Sequence, residues 1–299
     1  MSTDHLIDHR QGISIAGSGV FVLSFDALLV RLAGADPASI AFWRGALICL
    51  SLLTFMTVNG RLREFQVYRA HGWAALVVTI MYSVSTILFV FSVSHTNVAN
   101  TVVILSSSAF FAALFSWLIL KERVPLKTWI AIVVALAGVL VVFAGSFGIS
   151  NWLGDLIALI LAMMMGLSLT LLRRLPKMPK MPVVAMSGAM AAIFMLPFAQ
   201  LFTLESASYG WLAIMGLIQM PVASVMLMMA TKFLPSPEVS LFLLIETVLG
   251  PVWVWLVLNE SVPPLTLVGG SAILAAVFVH SWVALKSSKS RKRMPTCDI

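Results

Sequence analysis

Apolar residues come in long blocks along this chain, without the alternation of a strand or the narrow stripe of a surface helix. Ten blocks stand out: Ile13–Ala33, Ala38–Val58, Trp73–Ser94, Val98–Ile119, Thr128–Gly145, Trp152–Leu172, Pro182–Phe202, Tyr209–Ala230, Val239–Leu258 and Pro264–Leu285. Each is near the ~20 residues that a helix needs to cross ~30 Å of hydrocarbon. The two-residue alternation of a membrane β-barrel is absent. The connections are short and leave no room for an inserted soluble domain. The pattern predicts an all-α membrane protein of ten transmembrane helices. The opening "MSTDHLIDHRQG" lacks a cleavage site, so the first block is expected to remain as an anchor.

Composition agrees. Of 299 residues, 60% are hydrophobic and only 10% are charged, whereas a soluble domain carries about a quarter charged residues. Mean hydropathy is +1.02. The net charge of +7 reads as the mark of one membrane face and not as a nucleic-acid surface. Two cysteines, Cys49 and Cys297, stand too far apart for a disulfide framework or a metal site.

The basic residues alternate between faces. Arg10 lies before the first block; Arg61, Arg63 and Arg69 follow the second; Lys121, Arg123 and Lys127 follow the fourth. Arg173, Arg174, Lys177 and Lys180 follow the sixth, and Lys232 the eighth. Lys286, Lys289, Arg291, Lys292 and Arg293 form the tail, and the intervening loops carry no Lys or Arg. Basic loops stay in the cytoplasm. Ten spans with both termini inside satisfy every loop.

One phrase occurs twice. "WLILKERVP" runs from Trp117 to Pro125 and "WLVLNESVP" from Trp255 to Pro263, 138 residues apart, with six identities in nine. Thr128 with Thr266, Leu136 with Leu274, Ala137 with Ala275 and Val139 with Val277 keep the offset. Five helices separate the copies, so the second half enters the membrane inverted. Asn259 and Ser261 stand where Lys121 and Arg123 stood, because positive charge on the outer side opposes the topology. Three segments follow: a five-helix repeat over 1–147, an inverted repeat over 148–286, and a basic cytoplasmic tail over 287–299. Inverted repeats are a signature of secondary transporters, with the substrate near the midplane between the halves.

Ten helices as an inverted five-plus-five, "KERVP" and "NESVP" after the fourth and ninth helices, and "FWRGALICL" from Phe42 to Leu50 together resemble the EamA-like branch of the drug/metabolite transporter (DMT) superfamily. Within it the chain looks most like the aromatic amino-acid exporters of the YddG type. The resemblance implies a basket of helices around a central cavity. Its wall would be formed by the third, fourth, eighth and ninth helices with parts of the first and sixth. The fifth and tenth would lie at the edge, where "AIVVALAG" (131–138) and "GGSAILAA" (269–276) offer small residues for close packing.

Polar residues inside lipid need a partner or a function. At 1.5 Å per residue, Asp26 and Arg44 both fall about 10 Å below the outer face. They are expected to form a buried ion pair, either a staple between helices or a charged group facing the cavity. Arg31 sits nearer the outer edge and can snorkel. Glu246 falls near the midplane. Its counterpart at the same offset is Ser108, in "LSSSAFF" beside Ser107. Glu246 is therefore a candidate coupling acid, or else a neutral hydrogen-bonded one. Tyr82, Ser83 and Ser85 in the third helix, Gln219 before Pro221, and Trp253 beyond Pro251 complete the candidate substrate-binding set. Pro221 and Pro251 each remove a backbone donor. The methionines of "AMMMG" and "VMLMMA" suit an adaptable wall.

No catalytic constellation is visible. "AGSG" (16–19) lacks the glycine pattern of an intramembrane serine protease, and His95 and His280 fall at opposite faces. There is no Walker sequence and no cofactor motif, so the chain is not read as an enzyme. The expected function is secondary transport: export of amino acids, aromatic ones among them, or similar small metabolites, across a bacterial inner membrane by alternating access. Multidrug or nucleotide-sugar-like transport on the same fold is the alternative. The partners are a small molecule and the lipid bilayer, with no nucleic acid, and one chain holding both halves is expected to work as a monomer.

Placing Lys at both Asn259 and Ser261 should set the positive-inside signal against the fold of the second half. Reporter fusions at the following loop should show mixed topology and reduced expression; an unchanged reporter pattern would remove this account of the altered repeat.

Overall fold

The computed structural model describes residues 2–121, 126–146, 152–173, 178–233 and 236–291. Among them it is helical, without strands. The elements are α1 (Ser2–Leu23), α2 (Asp26–Ala33), α3 (Pro37–Val58), α4 (Val67–His95), α5 (Val98–Ser106), α6 (Ser108–Leu120) and α7 (Leu126–Ser146). They continue as α8 (Trp152–Arg173), α9 (Lys180–Met195), α10 (Ser206–Ala213), a π-helical turn (Ile214–Gln219), α11 (Met220–Phe233), α12 (Ser236–Leu258) and α13 (Pro264–Arg291). A short 3-10 segment, Leu62–Gln66, precedes α4.

Among the described residues, seven helical stretches are long and apolar enough to cross a membrane, and three shorter apolar ones, Lys180–Met195, Ile245–Leu258 and Pro264–Val279, accompany them. The seventh block is helical only as far as Met195, with 196–202 in turns and irregular structure; the other blocks are helical where they are described, but three are not single rods. The first block breaks between α1 and α2, and the fourth between α5 and α6. The eighth carries the π turn. Glu122 to Pro125, Arg174 to Lys177 and Lys292 to Ile299, which include Arg123, Arg293 and Cys297, lie outside the described residues, as does the side chain of His280.

Local chemistry explains the ends. Asp36 caps α3 by accepting from the Ser39 N–H at 2.9 Å, with Pro37 at the first helical position, where its missing N–H costs nothing. Gly34, at φ 58°, ends α2. Lys121 and Asn259, both at φ 54°, are the two non-glycine residues with positive φ among the described residues. They are the two positions that correspond in the duplicated phrase. The same left-handed residue thus ends α6 and α12, a conformation that costs a side chain roughly 1–2 kcal/mol and is retained in both halves.

Packing repeats as well. α7 lies along α13 and α3 along α9, each pairing corresponding helices of the two halves. α4 packs on α8, and its counterpart contact, α11 on α1, is also made. Glycine permits the first two crossings. A Cβ at Gly269 would stand 2.5 Å from the Gly138 carbonyl oxygen, and one at Gly188 2.6 Å from that of Gly45. Hydrophobic burial cannot draw helices together within lipid, so close van der Waals approach does this work. Large side chains such as Val133 and Leu140 on α7 and Leu267 and Phe278 on α13 stay exposed on the outside of the bundle, as a lipid-facing surface requires.

Gly188→Val should force α3 and α9 apart and cost about 1–3 kcal/mol, read as a lower melting temperature and a poorer folded yield in detergent. Gly210→Ala, where a Cβ meets nothing within 4 Å, should instead hold or raise the melting temperature through helix propensity. Equal melting of Gly188→Val and the parent would disprove the close crossing.

Candidate substrate site

The site is organised by the break in the first block. Ser24 and Phe25 separate α1 from α2, and a helix end inside lipid must find partners for its carbonyls. Gln219 provides two: its Nε2 donates to the Val22 carbonyl at 3.2 Å and the Leu23 carbonyl at 3.3 Å. Ser24 Oγ donates back to the Phe21 carbonyl at 2.7 Å and accepts from Trp253 Nε1 at 2.9 Å. The Trp253 ring stacks on Phe25, centroids 4.8 Å apart. Gln219 ends the π turn just ahead of Pro221. Proline has no N–H to offer the Leu217 carbonyl four residues back, and Ser51 Oγ donates to that oxygen at 3.1 Å.

Beyond the break, Asp26 opens α2, where the helix dipole favours a carboxylate. Arg44 of α3 donates from Nη2 to Asp26 Oδ2 at 2.8 Å, and both residues are 4% exposed. The guanidinium carbon lies 5.1 Å from the centre of the Phe89 ring, a cation–π distance. Glu246 of α12, half-buried, is within electrostatic range of both Asp26 and Arg44. The pair is not saturated. Among the described residues, Asp26 Oδ1, Arg44 Nε and Nη1, Gln219 Oε1, Ser83 Oγ and Ser85 Oγ find no hydrogen-bond partner and are buried. Each such group costs about 1–3 kcal/mol.

An apolar wall surrounds the pair. Phe25, Trp43, Met165, Trp211 and Trp253 pack against a buried cluster that includes Ala27, Phe89, Val102 and Val254. Gln219, Trp253, Asp26, Arg44 and Glu246 therefore gather in one region. Ser85 lies on α4 one turn from Phe89, and Ser83, wholly buried, sits two residues away on another side of the same helix. Tyr82 packs elsewhere, with Tyr68, Val78, Met178 and Val183. Ser107 is the joint between α5 and α6; its Oγ donates to the Ile104 carbonyl at 2.6 Å, and half-buried Ser108 begins α6. No direct contact ties Tyr82, Ser107 or Ser108 to the pair among the described residues. A groove of about 460 Å³ opens on the flank of α3, lined by Leu50, Ser51, Thr54, Phe55, Val58, Asn59 and Leu217, and none of the expected site residues lines it.

Two features at the end poor in basic residues escaped sequence reading. Arg31 does reach that end, and protein groups hold it there. It bridges Glu260 at 3.2 Å and donates to the Thr96 carbonyl at 2.8 Å, while Glu260 accepts from the Val98 N–H at 3.0 Å. Glu260 belongs to the second copy of the phrase and here caps the first turn of α5. Nearby, buried Asp155 accepts from Thr96 Oγ1 at 2.5 Å and Asn100 Nδ2 at 3.1 Å, and Asn100 Oδ1 accepts from Thr266 Oγ1 at 2.5 Å. The match of Thr266 with Thr128 was the one sequence hint of that network. Among the described residues no cluster of His, Cys, Asp and Glu could hold a metal ion.

Comparison with known proteins places this geometry in a family. The pseudopaline exporter CntI of Pseudomonas aeruginosa, from strains UCBPP-PA14 and PAO1, is 26% identical over 284 residues, covering 91% of this chain and 96% of the exporter. A crystal structure shares the fold at TM-score 0.64 and 16% identity, over 95% of this chain and 98% of that one. The EamA-like transporter family matches twice, over residues 10–144 and 152–282. The chain is a multi-pass membrane protein and belongs to the EamA-like transporter family.

Proposed function

We propose that the chain is a secondary transporter that exports amino acids, aromatic ones among them, or similar small metabolites across a bacterial inner membrane by alternating access. The observation that carries this reading is a buried, unsaturated ion pair beside a helix break, where the two halves of an inverted repeat meet. Irregular backbone at membrane depth belongs where it lines a path, and transporter sites are built from such broken helices. The wall of Phe25, Trp43, Phe89 and Trp253 suits an aromatic or aliphatic side chain. Ten spans and cytoplasmic termini follow from the charge alternation, and export agrees with the relatives' name. A substrate like pseudopaline is the second reading, favoured by 26% identity over 91% of the chain.

In this mechanism the halves rock about the site without covalent chemistry. The Arg31–Glu260 bridge and the Asp155 network hold the outer end shut, and opening it requires Arg31 to release Glu260. The backbone-close crossings of α3 with α9 and α7 with α13 join corresponding helices and act as the bearings. Glu246 is the coupling acid, near enough to feel a charge change at Asp26 and Arg44.

Purified protein in liposomes should accumulate radiolabelled amino acids when a pH gradient is imposed, and Glu246→Gln should abolish the dependence on that gradient. Flux that ignores both the gradient and the substitution would make the protein a facilitator with a structural Glu246. Absence of flux for every amino acid would overturn the amino-acid reading.

A further inference from the structure

We infer that the Asp26–Arg44 pair is the reader of an α-amino-acid zwitterion, each partner taking one pole of the ligand on the atoms its internal bond leaves free. The inference rests on the transporter reading above and assigns the ligand's groups to residues. Ligand ammonium would sit between Asp26 Oδ1 and Gln219 Oε1. Ligand carboxylate would sit on the free nitrogens of Arg44, and the side chain against Phe25, Phe89 and Trp253.

Three observations carry it. First, the unmet atoms come in both kinds. Asp26 Oδ1 and Gln219 Oε1 are acceptors, and Arg44 Nε and Nη1 are donors, all buried. A cation alone answers only the acceptors, and an anion alone answers only the donors. Secondly, Asp26 and Arg44 cancel in charge, so a ligand with no net charge adds none to a low-dielectric site; an unbalanced charge there is costly. The ammonium and carboxylate of an α-amino acid are one carbon apart, which suits partners 2.8 Å apart. Thirdly, the polarity is built in. Nε2 of Gln219 is committed to the Val22 and Leu23 carbonyls, so its oxygen is turned away from them as a fixed acceptor. A pair serving only as a staple gains nothing from leaving donors and acceptors empty beside it. A planar guanidinium also recognises carboxylate through more than one nitrogen, which lysine cannot do.

The test uses the purified full-length chain and measures binding by thermal shift and calorimetry. The probes are a panel of free amino acids including phenylalanine, tryptophan and leucine, each with its C-terminal amide (a cation) and its N-acetyl derivative (an anion). The expected result is binding of at least one free amino acid at least tenfold tighter than of both its one-pole analogues. Arg44→Lys keeps the charge and should weaken that binding at least tenfold while the protein melts within a few degrees of the parent. The charge-swapped double variant, Asp26→Arg with Arg44→Asp, should recover the melting temperature lost in Asp26→Asn but not the binding, because Gln219 Oε1 still faces the wrong pole. Equal binding of a zwitterion and an analogue overturns the inference, as does unweakened binding in either variant. If the Lys variant and the double variant fail to fold, the analogue comparison on the parent protein decides alone. Failure to bind any zwitterion also overturns it, while transport of another cargo in liposomes would leave the transporter reading standing.

Discussion

A carboxylate and a guanidinium 2.8 Å apart inside the bilayer region set the terms for the surrounding structure. Neither charge would survive there alone, and losing either partner strands the other. Asp26 can reach Arg44 because α2 starts afresh at Asp26, and α2 starts afresh because the chain breaks at Ser24 and Phe25. That break frees backbone carbonyls, which Gln219 must satisfy, and Gln219 can do so because the π turn ahead of Pro221 aims it there. A charge pair, a helix break, an amide and a proline thus form one chain of dependence across α1, α2, α3 and α11.

Much of the architecture was legible because lipid punishes polar groups so heavily. Block length marks the helices. The duplicated phrase marks the two repeats that the family match also finds. The small residues of α7 and α13 announced a close crossing that the Gly138–Gly269 approach displays. The level of Asp26 and Arg44 came from counting residues at a fixed rise.

The breaks were less legible. Ser24–Phe25 contains neither glycine nor proline, and its interruption is supported by Gln219 and Trp253, nearly 200 or more residues away along the chain. Ser106 and Ser107 bend their helix through hydroxyls that return to the Val103 and Ile104 carbonyls, a choice that serine can also decline. Arg31 looked like a residue that reaches outward to water. Its partner, Glu260, lies 229 residues on in a loop whose position depends on the whole fold. Tyr82 shares the right depth with the site but faces another cluster, because depth along a helix says nothing about direction around it.

The scaffold and the site obey different symmetries. Helix crossings, the left-handed residues Lys121 and Asn259, and the family match all repeat between the halves. The chemistry does not: at the same offset Asp26 falls on Met164, Arg44 on Pro182 and Glu246 on Ser108. A symmetric frame lets two end states have similar energy, since each half can adopt what the other adopted. A symmetric site would bind a ligand in two opposite orientations with nothing to choose between them. In the transport cycle proposed above, confining both charges of the pair to the first half, with Gln219 and Glu246 reaching in from the second, would give the ligand one orientation in both states. The charges would then do their work from one half while the other moves past them.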